Sequence, residues 1–114
     1  SKKPEKLSFY TSVKNHKHLK AINKDFGFSV GDTIHRMIEF FAKDGNTKKT
    51  IDKLLSSMSK KHVFLSFRTT PKNQKNLNEI KSKYNLTIGE IVHRMISHFA
   101  ESEDAKKTID KLMK

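Results

Sequence analysis

Lys6-Leu7-Ser8-Phe9-Tyr10-Thr11 alternates polar and apolar residues, and Val63-Phe64-Leu65-Ser66-Phe67-Arg68-Thr69 repeats the alternation 58 residues later. A period of two marks a strand with one buried and one wet face. Leu7 and Phe9, with Val63, Leu65 and Phe67, fall on one face. Lys6, Ser8 and Tyr10, with Phe64, Ser66 and Arg68, fall on the other. One short strand cannot satisfy its own backbone N–H and C=O groups. Each stretch is the obvious partner of the other, and the expected product is a two-stranded antiparallel ribbon.

The echo runs through the rest of the chain. At the same offset, His35-Arg36-Met37-Ile38 falls on His93-Arg94-Met95-Ile96, and Lys48–Leu54 (KKTIDKL) falls on Lys106–Leu112 (KKTIDKL). In 114 residues a duplication this short gives each half only part of a core, so the expectation is one compact domain over 1–114. Repeat one covers about 6–56, a polar linker about 57–62, and repeat two about 63–114.

Behind each strand stands a helix start. Ser12 and Thr70 read as N-caps, and Pro71 sits just inside the second of these helices, where its missing N–H costs little. The helices run over about 14–26 and 72–84, with apolar stripes Leu19, Ile22, Phe26 and Leu77, Ile80, Tyr84. Gly27 and Asn85 suit left-handed stops. Ser29-Val30-Gly31-Asp32 and Thr87-Ile88-Gly89-Glu90 then read as capping boxes opening a second helix. Its buried stripes are Ile34, Met37, Ile38, Phe41 and Val92, Met95, Ile96, Phe99, and it breaks at Asp44-Gly45-Asn46 and at Ser102. A third short helix is expected in each repeat, with Ile51, Leu54, Leu55, Met58 and Ile109, Leu112, Met113 on one face. The fold class is therefore mainly α with a two-stranded antiparallel β-ribbon.

Formal net charge is +12, and each half contributes +6, so the charge belongs to the whole domain rather than to a tail. A balance this basic points to a polyanion, with nucleic acid ahead of an anionic membrane. A two-stranded ribbon is one of the elements that fits the major groove of B-DNA. With no cysteine, disulfides and thiolate metal sites are excluded. No nucleophile–base pattern, phosphate loop or HExxH motif is present, so no catalytic residues, no metal, no cofactor and no small-molecule substrate are expected. His93 and His98 are poorly spaced for a shared metal, and His35 and His93 are expected to make helix–helix hydrogen bonds. No run approaches transmembrane length and no signal peptide is visible. The expectation is a cytoplasmic, nucleoid-associated protein with no membrane partner.

Strand, helix, glycine-containing turn and Ser/Thr-capped helix at this spacing resemble the ribbon-helix-helix (MetJ/Arc) family. The likeness covers Lys6 to Phe41 and Phe64 to Phe99, and Phe26-Gly27-Phe28-Ser29-Val30-Gly31 is close to the family's turn into its second helix. Family members usually pair one strand from each of two subunits. Both strands here lie in one chain, which implies a tandem pseudo-dimer similar to duplicated members that serve plasmid transfer. The third helices lie outside the family unit.

The resemblance implies base reading by Lys6, Ser8, Tyr10, Phe64, Ser66 and Arg68. The chemistry agrees: Arg68 can bond a guanine O6/N7 edge in bidentate fashion, Lys6 can do so with one donor, and the serines bond several bases. Tyr10 can donate to a base or phosphate, and Phe64 offers apolar contact to a thymine methyl; packing on a strand edge or partner is the alternative for both. A phosphate anchor is implied at Ser29, Val30 and Gly31 and at Thr87, Ile88 and Gly89, where helix dipoles and unpaired N–H groups favour an anion. Lys14, Lys17, Lys72 and Lys75 are candidates for further phosphate contacts. Lys6/Phe64 and Tyr10/Arg68 differ between the repeats, so a non-palindromic site is expected, with the stronger guanine preference under the Arg68 strand. The expected partner is double-stranded DNA, with self-association of pseudo-dimers on adjacent sites. The role expected first is transcriptional repression; marking a plasmid transfer origin or partition site is the second, and an antitoxin-like interaction module is the rival of another class.

Overall fold

The computed structural model describes residues 6–43 and 62–101, and the third helix expected in each repeat and the expected linker up to residue 61 lie outside the described residues. The described chain is mainly helical, with one two-stranded antiparallel sheet: β1 (Lys6–Thr11), α1 (Val13–Phe26), α2 (Val30–Lys43), β2 (Val63–Arg68), α3 (Pro71–Tyr84) and α4 (Ile88–Glu101).

The helix signals act as the local chemistry dictates. Ser12 and Thr70 are extended, and their side-chain oxygens accept from Asn15 N at 3.1 Å and Asn73 N at 3.2 Å. Gly27 (φ 76°) and Asn85 (φ 53°) end α1 and α3 in the left-handed region, where glycine and asparagine carry the smallest penalty. Ser29 Oγ and Thr87 Oγ1 accept from Asp32 N and Glu90 N, each at 3.1 Å, and so open α2 and α4. Glu90 also uses its carboxylate on its own helix, accepting from Arg94 Nε at 3.2 Å.

The strands pair in the register Lys6–Arg68, Leu7–Phe67, Ser8–Ser66, Phe9–Leu65, Tyr10–Phe64 and Thr11–Val63. Ser8 and Ser66 are repeat equivalents and stand opposite each other, so the ribbon is centred on them. Phe9 and Phe67 lie in the core, with ring centroids 5.7 Å apart and edge to face. Leu7 and Leu65 are half-buried against the same core.

The two repeats interlock beneath the ribbon. The second helix of each packs on the strand of the other, α4 on β1 and α2 on β2, and also on the other's first helix. Phe41 of α2 and Phe99 of α4 are fully buried with centroids 5.5 Å apart, and Phe40 and His98 stack around them. Leu19, Ile22, Ile34, Met37, Ile38, Leu77, Ile80, Val92, Met95 and Ile96 complete the core as their spacing predicts. Phe26 departs from that expectation and is 40% exposed. It is the last residue of α1, directly before the left-handed Gly27, whereas Tyr84 at the equivalent place in α3 is half-buried against the core. Ile91 is a core residue outside the expected stripe.

A polar clasp ties each strand end to the opposite repeat. In one clasp Asn15 (1% exposed) lies with Thr11, His93 and Ser97, all buried. Asn15 Nδ2 reaches Thr11 Oγ1 at 3.0 Å and Ser97 Oγ at 2.8 Å. Thr11 Oγ1 in turn lies 2.8 Å from His93 Nδ1, and Ser97 Oγ donates to His93 O at 3.0 Å. The network closes when the Thr11 hydroxyl donates to an unprotonated Nδ1. In the other clasp Asn73 Nδ2 reaches Thr69 Oγ1 at 3.1 Å and His35 Nδ1 at 2.8 Å. Glu39 replaces the serine there, and its carboxylate lies 3.1 Å from His35 Nε2. The helix–helix role expected for His35 and His93 is what the structure gives them.

Candidate nucleic-acid interface

The alternation of each strand puts six side chains on the ribbon face turned away from the core. Lys6, Ser8, Tyr10, Phe64 and Arg68 are exposed and Ser66 is half-exposed. Pairing sorts them into three rungs. Lys6 faces Arg68 at one end, Ser8 faces Ser66 at the centre with their hydroxyls 3.2 Å apart, and Tyr10 faces Phe64 at the other end. The Tyr10 and Phe64 rings lie 5.0 Å apart, tilted by 54°, and each residue remains 57% exposed. These two aromatics therefore pack on each other without leaving the surface. Positions 6 and 10 are separated by about 14 Å of strand, close to the rise of four base pairs.

The expected phosphate anchors flank this face on opposite strands. The start of α4 lies beside β1, where Ser8, Phe9, Tyr10, Thr87, Gly89 and Glu90 line an open groove of about 480 Å³. The start of α2 lies beside β2, and a Cβ added at Gly31 would stand 3.9 Å from the backbone N and O of Arg68. At Gly89 an added Cβ would stand 3.4 Å from Phe9 Cβ. A Cβ would thus fit at Gly31 in ordinary contact, and the helix lies closer to the ribbon at Gly89. The caps satisfy the N–H groups of Asp32 and Glu90, while helix geometry gives those of Val30, Gly31, Ile88 and Gly89 no carbonyl within their helices. Ser29 and Thr87 are exposed, so their surroundings are open to an anion. Asp32 and Glu90 bring negative charge to these same turns. The Glu90 charge is offset by Arg94.

Lys14, Lys17, Lys72 and Lys75 are all exposed on the first turns of α1 and α3, the helices that follow the two strands. Among the described residues no cluster of three or more His, Cys, Asp or Glu could hold a metal ion, and no helix is long and apolar enough to cross a membrane. Neither a family model, nor a curated protein, nor a solved structure matches the chain.

Thr11, Asn15, Thr69 and Asn73 anchor the ribbon ends, and none of the sequence motifs quoted above marks them for that role. An asparagine in a helix ordinarily reads as a solvated polar residue. The available signal was the Thr-x-x-x-Asn spacing, present at the same place in both repeats.

Proposed function

We propose that this chain is a single-chain ribbon-helix-helix pseudo-dimer that binds duplex DNA sequence-specifically, with the ribbon face in the major groove. The observation that carries this reading is the outward face itself. Six side chains stand in three paired rungs over a core that both repeats build, and they include two cations, two hydroxyls and a phenol that can bond to base edges or phosphate. The groove of B-DNA is about 12 Å wide and admits a two-stranded ribbon. Helix starts on both flanks supply N–H groups at the places where the sugar-phosphate backbones would pass, and a net charge of +12 supplies the attraction. The three-rung face and the interlocked halves support the pseudo-dimer reading.

The role that follows is transcriptional regulation, by occupying a promoter from the nucleoid. Genomic footprinting separates this from an accessory role, since one site near a transfer origin or partition locus would favour the latter. The binding reading is tested by titrating labelled duplex at several salt concentrations. Log affinity should fall linearly with log salt, with a slope of about −0.9 for each phosphate neutralised. Affinity that barely responds to salt would refute it.

A further inference from the structure

Resting on the DNA-binding reading above, we infer that the two ends of the ribbon read different base chemistry. The Lys6/Arg68 end takes guanine edges, the Tyr10/Phe64 end takes thymine methyls, and the site is a non-palindrome with a guanine end and a thymine end. The repeats share serine at the central rung and diverge at both outer positions, Lys6 against Phe64 and Tyr10 against Arg68. Antiparallel pairing turns this divergence into polarity. Because Lys6 faces Arg68 and Tyr10 faces Phe64, both cations stand at one end and both aromatics at the other. Had one repeat carried both cations, each end would hold one cation and one aromatic, and the ends would be chemically alike. The asymmetry therefore belongs to the rungs and not to the strands.

The chemistry at each end follows. Lys6 and Arg68 are both exposed, and their N–H donors match the paired O6 and N7 acceptors that guanine alone presents in the major groove. At the far end Tyr10 and Phe64 hold each other at 5.0 Å while more than half of each stays open. Phe64 has no hydrogen-bonding atom, so a guanine or cytosine edge beneath it would lose water without a replacement. The thymine C5-methyl is the base-edge group that rewards apolar contact there. Thymine O4 beside it is an acceptor for the Tyr10 hydroxyl.

The test uses the full chain and random duplexes, with selection and sequencing. The expected consensus has guanine at one end and thymine at the other. Replacing thymine by uracil at the thymine end should weaken binding about threefold to fourfold per methyl. Replacing guanine by 7-deazaguanine at the guanine end should weaken it about fivefold or more. Tyr10→Arg with Phe64→Lys gives each repeat its counterpart's cation and should select a palindrome with guanine at both ends. Lys6→Phe with Arg68→Tyr should select thymine at both ends. All four positions face away from the core, and circular dichroism checks that each variant is folded. A symmetric consensus from the native chain would overturn the inference, and so would an unchanged consensus from Tyr10→Arg/Phe64→Lys. Those results leave DNA binding standing, whereas no enrichment of any duplex would remove both proposals.

Discussion

Replacing Asn15 by alanine should cost about 2–4 kcal/mol of stability, and the structure says where that comes from. Asn15 is 1% exposed, and its side-chain amide carries two N–H hydrogens. The two shortest contacts, to Ser97 Oγ at 2.8 Å and Thr11 Oγ1 at 3.0 Å, use both. Each such bond contributes roughly 1 kcal/mol net. The remaining cost comes from a void too buried to refill easily, lined by hydroxyls that have lost a donor. Against a total stability of about 5–15 kcal/mol for a domain of this kind, the loss is large. Asn73→Ala removes the equivalent side chain, but its partner His35 is only partly buried, so water can replace the missing donor. That variant should cost about 1 kcal/mol less. Urea denaturation of both variants measures the difference through the shift in midpoint at constant slope. A cost below about 0.5 kcal/mol for Asn15→Ala would refute the buried clasp, since that is the range of ordinary surface substitutions. An equal or larger cost for Asn73→Ala would refute the burial argument.

Two further outcomes follow from the interface. Arg68→Ala should cost about 1–3 kcal/mol of binding to the preferred duplex and little on a scrambled one, measured by fluorescence anisotropy; equal losses on both would make Arg68 a phosphate contact alone. Val30→Pro removes the first N–H of α2 at a position where proline is tolerated, as Pro71 already is in α3. Relative to Val30→Ala, which keeps that N–H, it should weaken DNA binding by about 1.5–3 kcal/mol if the group holds a phosphate, and equal affinities would contradict that role.

The features legible in the sequence were those decided within a few residues. Ser12, Thr70, Ser29 and Thr87 cap helices because a side-chain oxygen two or three residues upstream of a free N–H is enough, and Gly27 and Asn85 end them because of their own backbone freedom. The two faces of the ribbon were legible for the same reason. What stayed hidden depends on pairing across the chain. The strand alternation assigned Lys6 and Arg68 to the outer face, yet only the register stands them side by side. Nothing local marks Asn15 and Asn73 as buried, since their amide partners His35, His93 and Ser97 come from the opposite repeat. Phe26 and Tyr84 share the last place of their helices and the same spacing, yet only Tyr84 packs against the core, a difference that neither spacing nor helix position explains.

Major-groove binding by the ribbon is tested by methylation interference on a selected duplex. Dimethyl sulfate places methyl groups on guanine N7 in the major groove and on adenine N3 in the minor groove. Methylated guanine N7 should block binding, concentrated at the end under Lys6 and Arg68, and adenine N3 methylation within the site should not. Interference confined to adenine N3, or none at guanine N7 in a site that the chain binds specifically, would contradict major-groove binding.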